Sequence, residues 1–130
     1  MDGRGASRGS YGENDPMTET LLHICSHDDW SRAQEAGALR PASLGETGFV
    51  HLSTPGQVHL PANRLFAGRT DLALLHVDPS MLTDPVRFEP GVPEDPESMM
   101  FPHLYGPLPV AAVVAVTEYR PDSDGLFAPL

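Results

Sequence analysis

Residues 48–54 read GFVHLST and residues 71–78 read DLALLHVD, and the fold turns on these two stretches. In the first, Phe49, His51 and Ser53 share one face of a strand and Val50 and Leu52 the other. The second is a dense apolar run that Pro79 ends, and it reads as a strand. Working outward, TLLHIC at 20–25 is a short apolar run and a buried strand, VRFE at 86–89 is a shorter strand, and VVAVTEYR at 113–120 is the last one. Between the first two strands, Ser26 is a natural N-cap, with Asp28 and Asp29 in the first turn where the helix dipole favours negative charge. That helix runs to about Ala36, with Trp30, Ala33 and either Ala36 or Gln34 at helical spacing, and Gly37 closes it. A second helix is predicted from Thr54-Pro55 to Phe66, stopping at Gly68, with Pro61 inside it to kink or shorten it.

The rest is read as connections. Residues 40–48 are a loop, and 91–100 a surface loop with prolines and acidic residues. FPHLYGPLP at 101–109 is too proline-rich for a central strand. The end after Pro121 is turn-like and docks through Leu126 and Phe127. About five strands and two helices in the first half, without regular β-α-β alternation, predict an α+β domain with a bent or split sheet over residues 17–121. Residues 1–16 hold four glycines and no large aliphatic side chain after Met1, and are read as a disordered tail, with Met17 a candidate natural start. Residues 122–130 form a C-terminal tail.

Composition narrows the function classes. The 130 residues carry a formal net charge of −10, and all 8 basic residues are arginines. The absence of lysine excludes lysine Schiff-base chemistry and a Walker-type phosphate lysine. The acidic balance disfavours a nucleic-acid partner, although a few converging arginines could hold a small anion. No apolar run approaches the ~18–20 residues of a membrane span, and the N-terminus lacks the apolar core of a signal peptide. With its single cysteine, Cys25, a cytoplasmic protein is the expectation. No Gly-rich fingerprint follows a strand, so a Rossmann-type dinucleotide site is not expected.

Candidate chemistry falls on a few positions. His23 and His51 sit centrally in the first two strands; Arg87 and Glu89 are two apart on one strand and face the same way. His103 and Tyr105 lie in a segment stiffened by Pro102 and Pro107, where Gly106 permits backbone geometry that other residues disfavour. Each has a bland counterpart. A histidine in an apolar strand is commonly a hydrogen-bonded core residue. Arg87 and Glu89 make an ordinary surface pair, Ser53-Thr54 a helix cap, and Tyr105 a packed aromatic. His27, His59 and His76 read as surface or helix residues, and Cys25 as buried and inert. His23, His51 and His103 lie 28 and 52 residues apart, unlike the close pairs of zinc motifs, so no metal is expected. Ser53 lacks the G-x-S-x-G elbow of a hydrolase.

His23 with Trp30, GFVHLST at 48–54, ANRLF at 62–66, RTDLALLHVDP at 69–79, VRFEP at 86–90 and FPHLYGPLP at 101–109 resemble, in order and over roughly residues 20–120, the domain of unknown function 952 family. The resemblance implies the ADP-ribosyltransferase-like superfamily, a split β-sheet with an NAD cleft between two small antiparallel sheets. Within it the chain looks closest to the branch containing RNA 2′-phosphotransferases. It implies His23 on a ribose hydroxyl of NAD and His51 near the nicotinamide or diphosphate. The third signature position, a glutamate in many transferases, falls here on His103 or on Tyr105 beside it, a departure from glutamate-dependent transfer. Arg64 and Arg87 are candidates for the diphosphate because the guanidinium fork pairs with phosphate oxygens. Glu89 is the candidate to polarise a ribose hydroxyl, and Ser53 and Thr54 join the substrate-binding set. Two readings follow: an enzyme or former enzyme using NAD or an ADP-ribosylated substrate, with a small molecule or a protein as acceptor, and a non-catalytic module for a small ligand or a partner. Both expect His23, His51 and His103 to line one cleft.

Overall fold

A computed structural model describes residues 20–92 and 98–130. The reading of 1–16 as a tail and of Met17 as a start lies outside these residues. The apolar run of the seventies becomes strand β4 (Leu72–Val77), flanked by β1 (Leu21–Ser26) and β8 (Val113–Tyr119) in an antiparallel three-stranded sheet. A second antiparallel sheet has β6 (Met100–Leu104) in its middle, with β3 (Val50–His51) on one side and β5 (Val86–Pro90) on the other. A two-residue pair, β2 (Ala38–Leu39) with β7 (Leu108–Pro109), closes one end. The α+β class is therefore as read.

The two larger sheets touch through one bridge. The Leu22 N–H donates to the Ser53 carbonyl at 2.7 Å and the Ser53 N–H to the Leu22 carbonyl at 2.8 Å. Beyond that bridge β1 and β3 diverge. Their inner residues meet in one core: Leu21, Leu75 and Val77 from the first sheet and Val50, Leu52 and Leu104 from the second, with Trp30 and Ala33 of helix α1 (His27–Ala36) packed on it. Ser26 caps α1 through the Asp29 N–H, and Gly37, at φ 88°, ends it. Neither Ala36 nor Gln34 extends the buried face, which narrows to Trp30 and Ala33.

Four expectations are corrected. Residues 40–48 are not all loop: Ala42–Thr47 form helix α2, opened by Pro41 and closed by Gly48 at φ 87°. At six residues it is too short to show a helical period. The other corrected helix, α3, spans His59–Phe66 and does not start at Thr54-Pro55. Pro61 lies in its first turn, where backbone N–H groups have no helical partner, and the helix is shortened to eight residues as the proline predicts. Ser53-Thr54 is no side-chain cap; instead buried Gln57 accepts the Thr54 N–H and donates to the Met100 carbonyl.

The third correction concerns 101–109, which supplies a central strand despite its prolines. The Pro102 carbonyl accepts from the Leu52 N–H at 3.0 Å, so its peptide group faces the side where β3 is already leaving the ladder. The missing proline N–H falls at that fading edge. The last correction is at the C-terminus. Phe127 is buried against Tyr119, with both its backbone groups held by the Asn63 side chain, whereas Leu126 is exposed. Gly106 has an ordinary φ but is required for space, because a Cβ there would overlap the Asp84 carboxylate.

Candidate functional site

Strand alternation sends Phe49, His51 and Ser53 of the β3 segment, Phe101, His103 and Tyr105 of the β6 segment, and Arg87 and Glu89 of β5 to the face opposite the core. The first sheet contributes His23, opposite the start of the divergence. Its Nδ1–H donates to the His51 carbonyl at 2.7 Å. That bond fixes the tautomer and leaves Nε2 as the free nitrogen. Burial pushes the His23 pKa below the ordinary imidazole value, and the carbonyl only partly offsets it.

On the second sheet the anchor is a carboxylate. Glu89 Oε1 accepts from Tyr105 Oη–H at 2.5 Å and from His103 Nδ1–H at 2.9 Å. His103 is buried, stacked on Phe49 with ring centroids 4.0 Å apart, and meets His51 edge-on at 5.3 Å. The Tyr105 and His103 donors hold the Glu89 carboxyl below its usual range, and the Glu89 hydrogen bond raises the Tyr105 hydroxyl above its own. Arg87 lies over the Tyr105 ring at 5.2 Å. His51 is exposed as a residue, with its ring edge against His103 and Phe49. Partial desolvation lowers its pKa, and the neighbouring His103 and Arg64 act in the same direction.

These residues surround two adjoining chambers. The larger, about 330 Å³, opens where β1 and β3 part and takes His23, His51 and Ser53 with apolar Leu39, Pro41 and Phe66. That volume is at the lower end of small-ligand sites. The smaller, about 100 Å³, is lined by His51, Ser53, Arg64 and His103 together with Gly91 and Phe101. His51, Ser53, Pro61 and Leu65 belong to both and form the shared wall.

The three histidines are thus brought together, but through His51: His23 belongs to one chamber and His103 to the other. Ser53 and Arg64 stand on chamber walls. Thr54, Arg87, Glu89 and Tyr105 line neither chamber, and of these Glu89 and Tyr105 reach the site through His103. Sequence reading passed over Phe49, which holds His103 by stacking, and Gln57, which ties the turn before α3 to β6. The alternation in GFVHLST could have flagged Phe49, since it shares a face with His51; Gln57 had no such signal. Arg69 lines the large chamber but is held in a bidentate pair by Asp71. Cys25 also lines that chamber, and burial pushes its thiol up to about 12. Among the described residues no group of three or more His, Cys, Asp or Glu side chains is placed to hold a metal ion, and no helix is long and apolar enough to cross a membrane.

The family described as "Protein of unknown function (DUF952)" matches residues 24–116. The crystal structure of protein CC0527 from Caulobacter crescentus is similar at 30% identity and a TM-score of 0.73, covering 84% of this chain and 93% of that one. The solution NMR structure of the same protein is similar at 30% identity and a TM-score of 0.70, covering 82% and 90%. No curated protein matches. The chain belongs to the DUF952 family.

Proposed function

From that membership and the two-chamber groove, we propose that this chain is an ADP-ribosyltransferase-like domain that binds NAD or an ADP-ribosylated small molecule between its two sheets. The observation that carries the reading is the placing of His23 and His51 on one 330 Å³ chamber at the point where β1 and β3 part. A nucleotide of this class needs an apolar slot for a ring, donors for ribose hydroxyls and a cation for phosphate. Leu39, Pro41 and Phe66 supply the first, the imidazoles the second, and Arg64 the third.

Binding is better supported than glutamate-driven transfer. The Glu89 carboxylate is occupied by two donors and lines neither chamber, so its part is to position His103. His103, with Nδ1 committed to Glu89, presents Nε2 to the small chamber, where it can take or give a proton. A small molecule suits the net charge of −10 better than RNA.

Calorimetric titration of the full chain with NAD and with ADP-ribose tests the proposal. Saturable binding is expected, lost in His51→Ala while the circular dichroism and melting of the variant stay close to the parent. No binding of either at millimolar concentration overturns the reading.

A further inference from the structure

The nucleotide reading draws only Arg64 from the small chamber and leaves the rest of its walls unassigned. Its volume of about 100 Å³ is room for about three waters at ~30 Å³ each, the size of a tetrahedral oxyanion. Its polar walls are donors: the Arg64 guanidinium, the His51 and His103 imidazoles and the buried Ser53 hydroxyl. No carboxylate is among the described residues that line it. Gly91 and Phe101 make a close-fitting apolar side, since a Cβ on Gly91 would lie 2.8 Å from the Phe101 ring.

Charge points the same way. His51 faces Arg64 from α3 and His103 from β6; Asp29 of α1 acts on His23 from the large chamber, and Glu89 of β5, with Arg87 beside it, is bonded to His103. Three groups able to carry positive charge line one small chamber, an arrangement that favours an anion there. His103 is suited to the role. With Nδ1–H already on Glu89, a proton on Nε2 would make it an imidazolium held between carboxylate and anion.

We propose that the small chamber is a phosphate subsite, taking a phosphomonoester carried by the ligand whose body lies in the large chamber. The identity of that body rests on the proposed nucleotide reading; the subsite rests on its own walls. The shared wall of His51, Ser53, Pro61 and Leu65 lets one ligand occupy both chambers.

The test uses inorganic sulfate, whose charge is constant across the range, with the imidazole NMR signals of the full chain as readout and chloride at matched ionic strength as control. Saturable shifts are expected at His51 and His103, with affinity rising as the pH falls through and below 6.5 and His51 takes up its proton. Arg64→Gln should weaken sulfate about fivefold or more, whereas Arg120→Gln, an exposed arginine beside Glu118 that lines neither chamber, should leave it unchanged. AMP should bind more tightly than adenosine, and Arg64→Gln should remove that preference. A response no larger than with chloride, a response indifferent to Arg64→Gln, or equal binding of AMP and adenosine overturns the subsite. Sulfate binding without NAD or ADP-ribose binding would sink the nucleotide reading and leave the subsite standing; the reverse pattern would do the opposite.

Discussion

The two three-stranded sheets hold their histidines in opposite ways. In the first, β1 and β4 pair along six residues each, and Leu21, Leu22, Leu72, Leu74 and Leu75 are buried. His23 is set in that apolar strand, anchored to a backbone carbonyl and kept toward its neutral form by burial. In the second, β3 pairs over only two residues, a proline sits in the central strand, and the outward face carries Arg87, Glu89, His103 and Tyr105. His103 is anchored there by a carboxylate. The difference separates two tasks. The first sheet supplies rigidity through apolar burial; the second supplies charge through a polar network on the side its core face leaves free.

The largest expected effect falls on the first sheet. Leu75 is fully buried in β4, in the core shared by both sheets. Leu75→Ala should cost about 2–5 kcal/mol, from lost burial plus the cavity left behind. Urea denaturation should show this as a lower midpoint with an unchanged slope. Val86→Ala on β5, where the side chain is only partly buried, should cost about 1 kcal/mol or less. Equal losses at both positions would remove the distinction between a bearing sheet and a chemical one.

The same contrast explains what could be read from sequence. DLALLHVD and TLLHIC announce strands because burial on both faces demands apolar runs. The helix between Ser26 and Gly37 is marked at both ends by caps. In the second sheet the cues were local and misleading. Pro102 argued against a central strand, and only the early departure of β3 makes it tolerable. Thr54-Pro55 looked like the start of α3, but that start is set by Pro61 in the first turn and by the turn that Gln57 holds, a contact reaching 43 residues along the chain to Met100. Individual site residues were legible by type, His23, His51, His103 and Glu89 among them. Their division between two chambers was not, because it depends on how far β1 and β3 diverge after the Leu22–Ser53 bridge.

The next effect is a pH slope. Burial lowers the His23 pKa from its ordinary 6.5 in the folded chain. Below that value the unfolded chain takes up a proton that the folded chain resists. The stability from a neutral His23 is therefore complete above about pH 6.5 and is lost as the pH falls through and below it. His51 is shifted in the same direction and contributes similarly. His23→Gln keeps an N–H for the His51 carbonyl but cannot titrate. Stability measured between about pH 7 and pH 5 should lose up to one proton of slope in this variant, at most about 1.4 kcal/mol per pH unit, with the His51 part remaining. A slope identical to the parent would mean that folding leaves the His23 pKa where it is in the unfolded chain, and that burial does not hold it neutral.

Glu89→Gln should have the smallest effect on stability and the most local one. In the parent the Tyr105 and His103 donors lower the carboxyl from its ordinary 4.5, so the stability it gives is present above that value and is lost as pH falls through the lower, folded one. This window opens at 4.5, below the 6.5 at which that of His23 opens, so only His23→Gln should flatten the part of the acid profile between the two values. Tyr105 supplies an independent readout. Its hydroxyl is raised above 10.0 chiefly by its hydrogen bond to Glu89, because deprotonation there would put two negative oxygens side by side. Glu89→Gln should therefore bring the ultraviolet titration of Tyr105 down toward the ordinary value while the first-sheet amides keep their chemical shifts. A Tyr105 titration that does not move would show that the carboxylate is not its partner in solution, and the second sheet would lose the charged anchor that distinguishes His103 from His23.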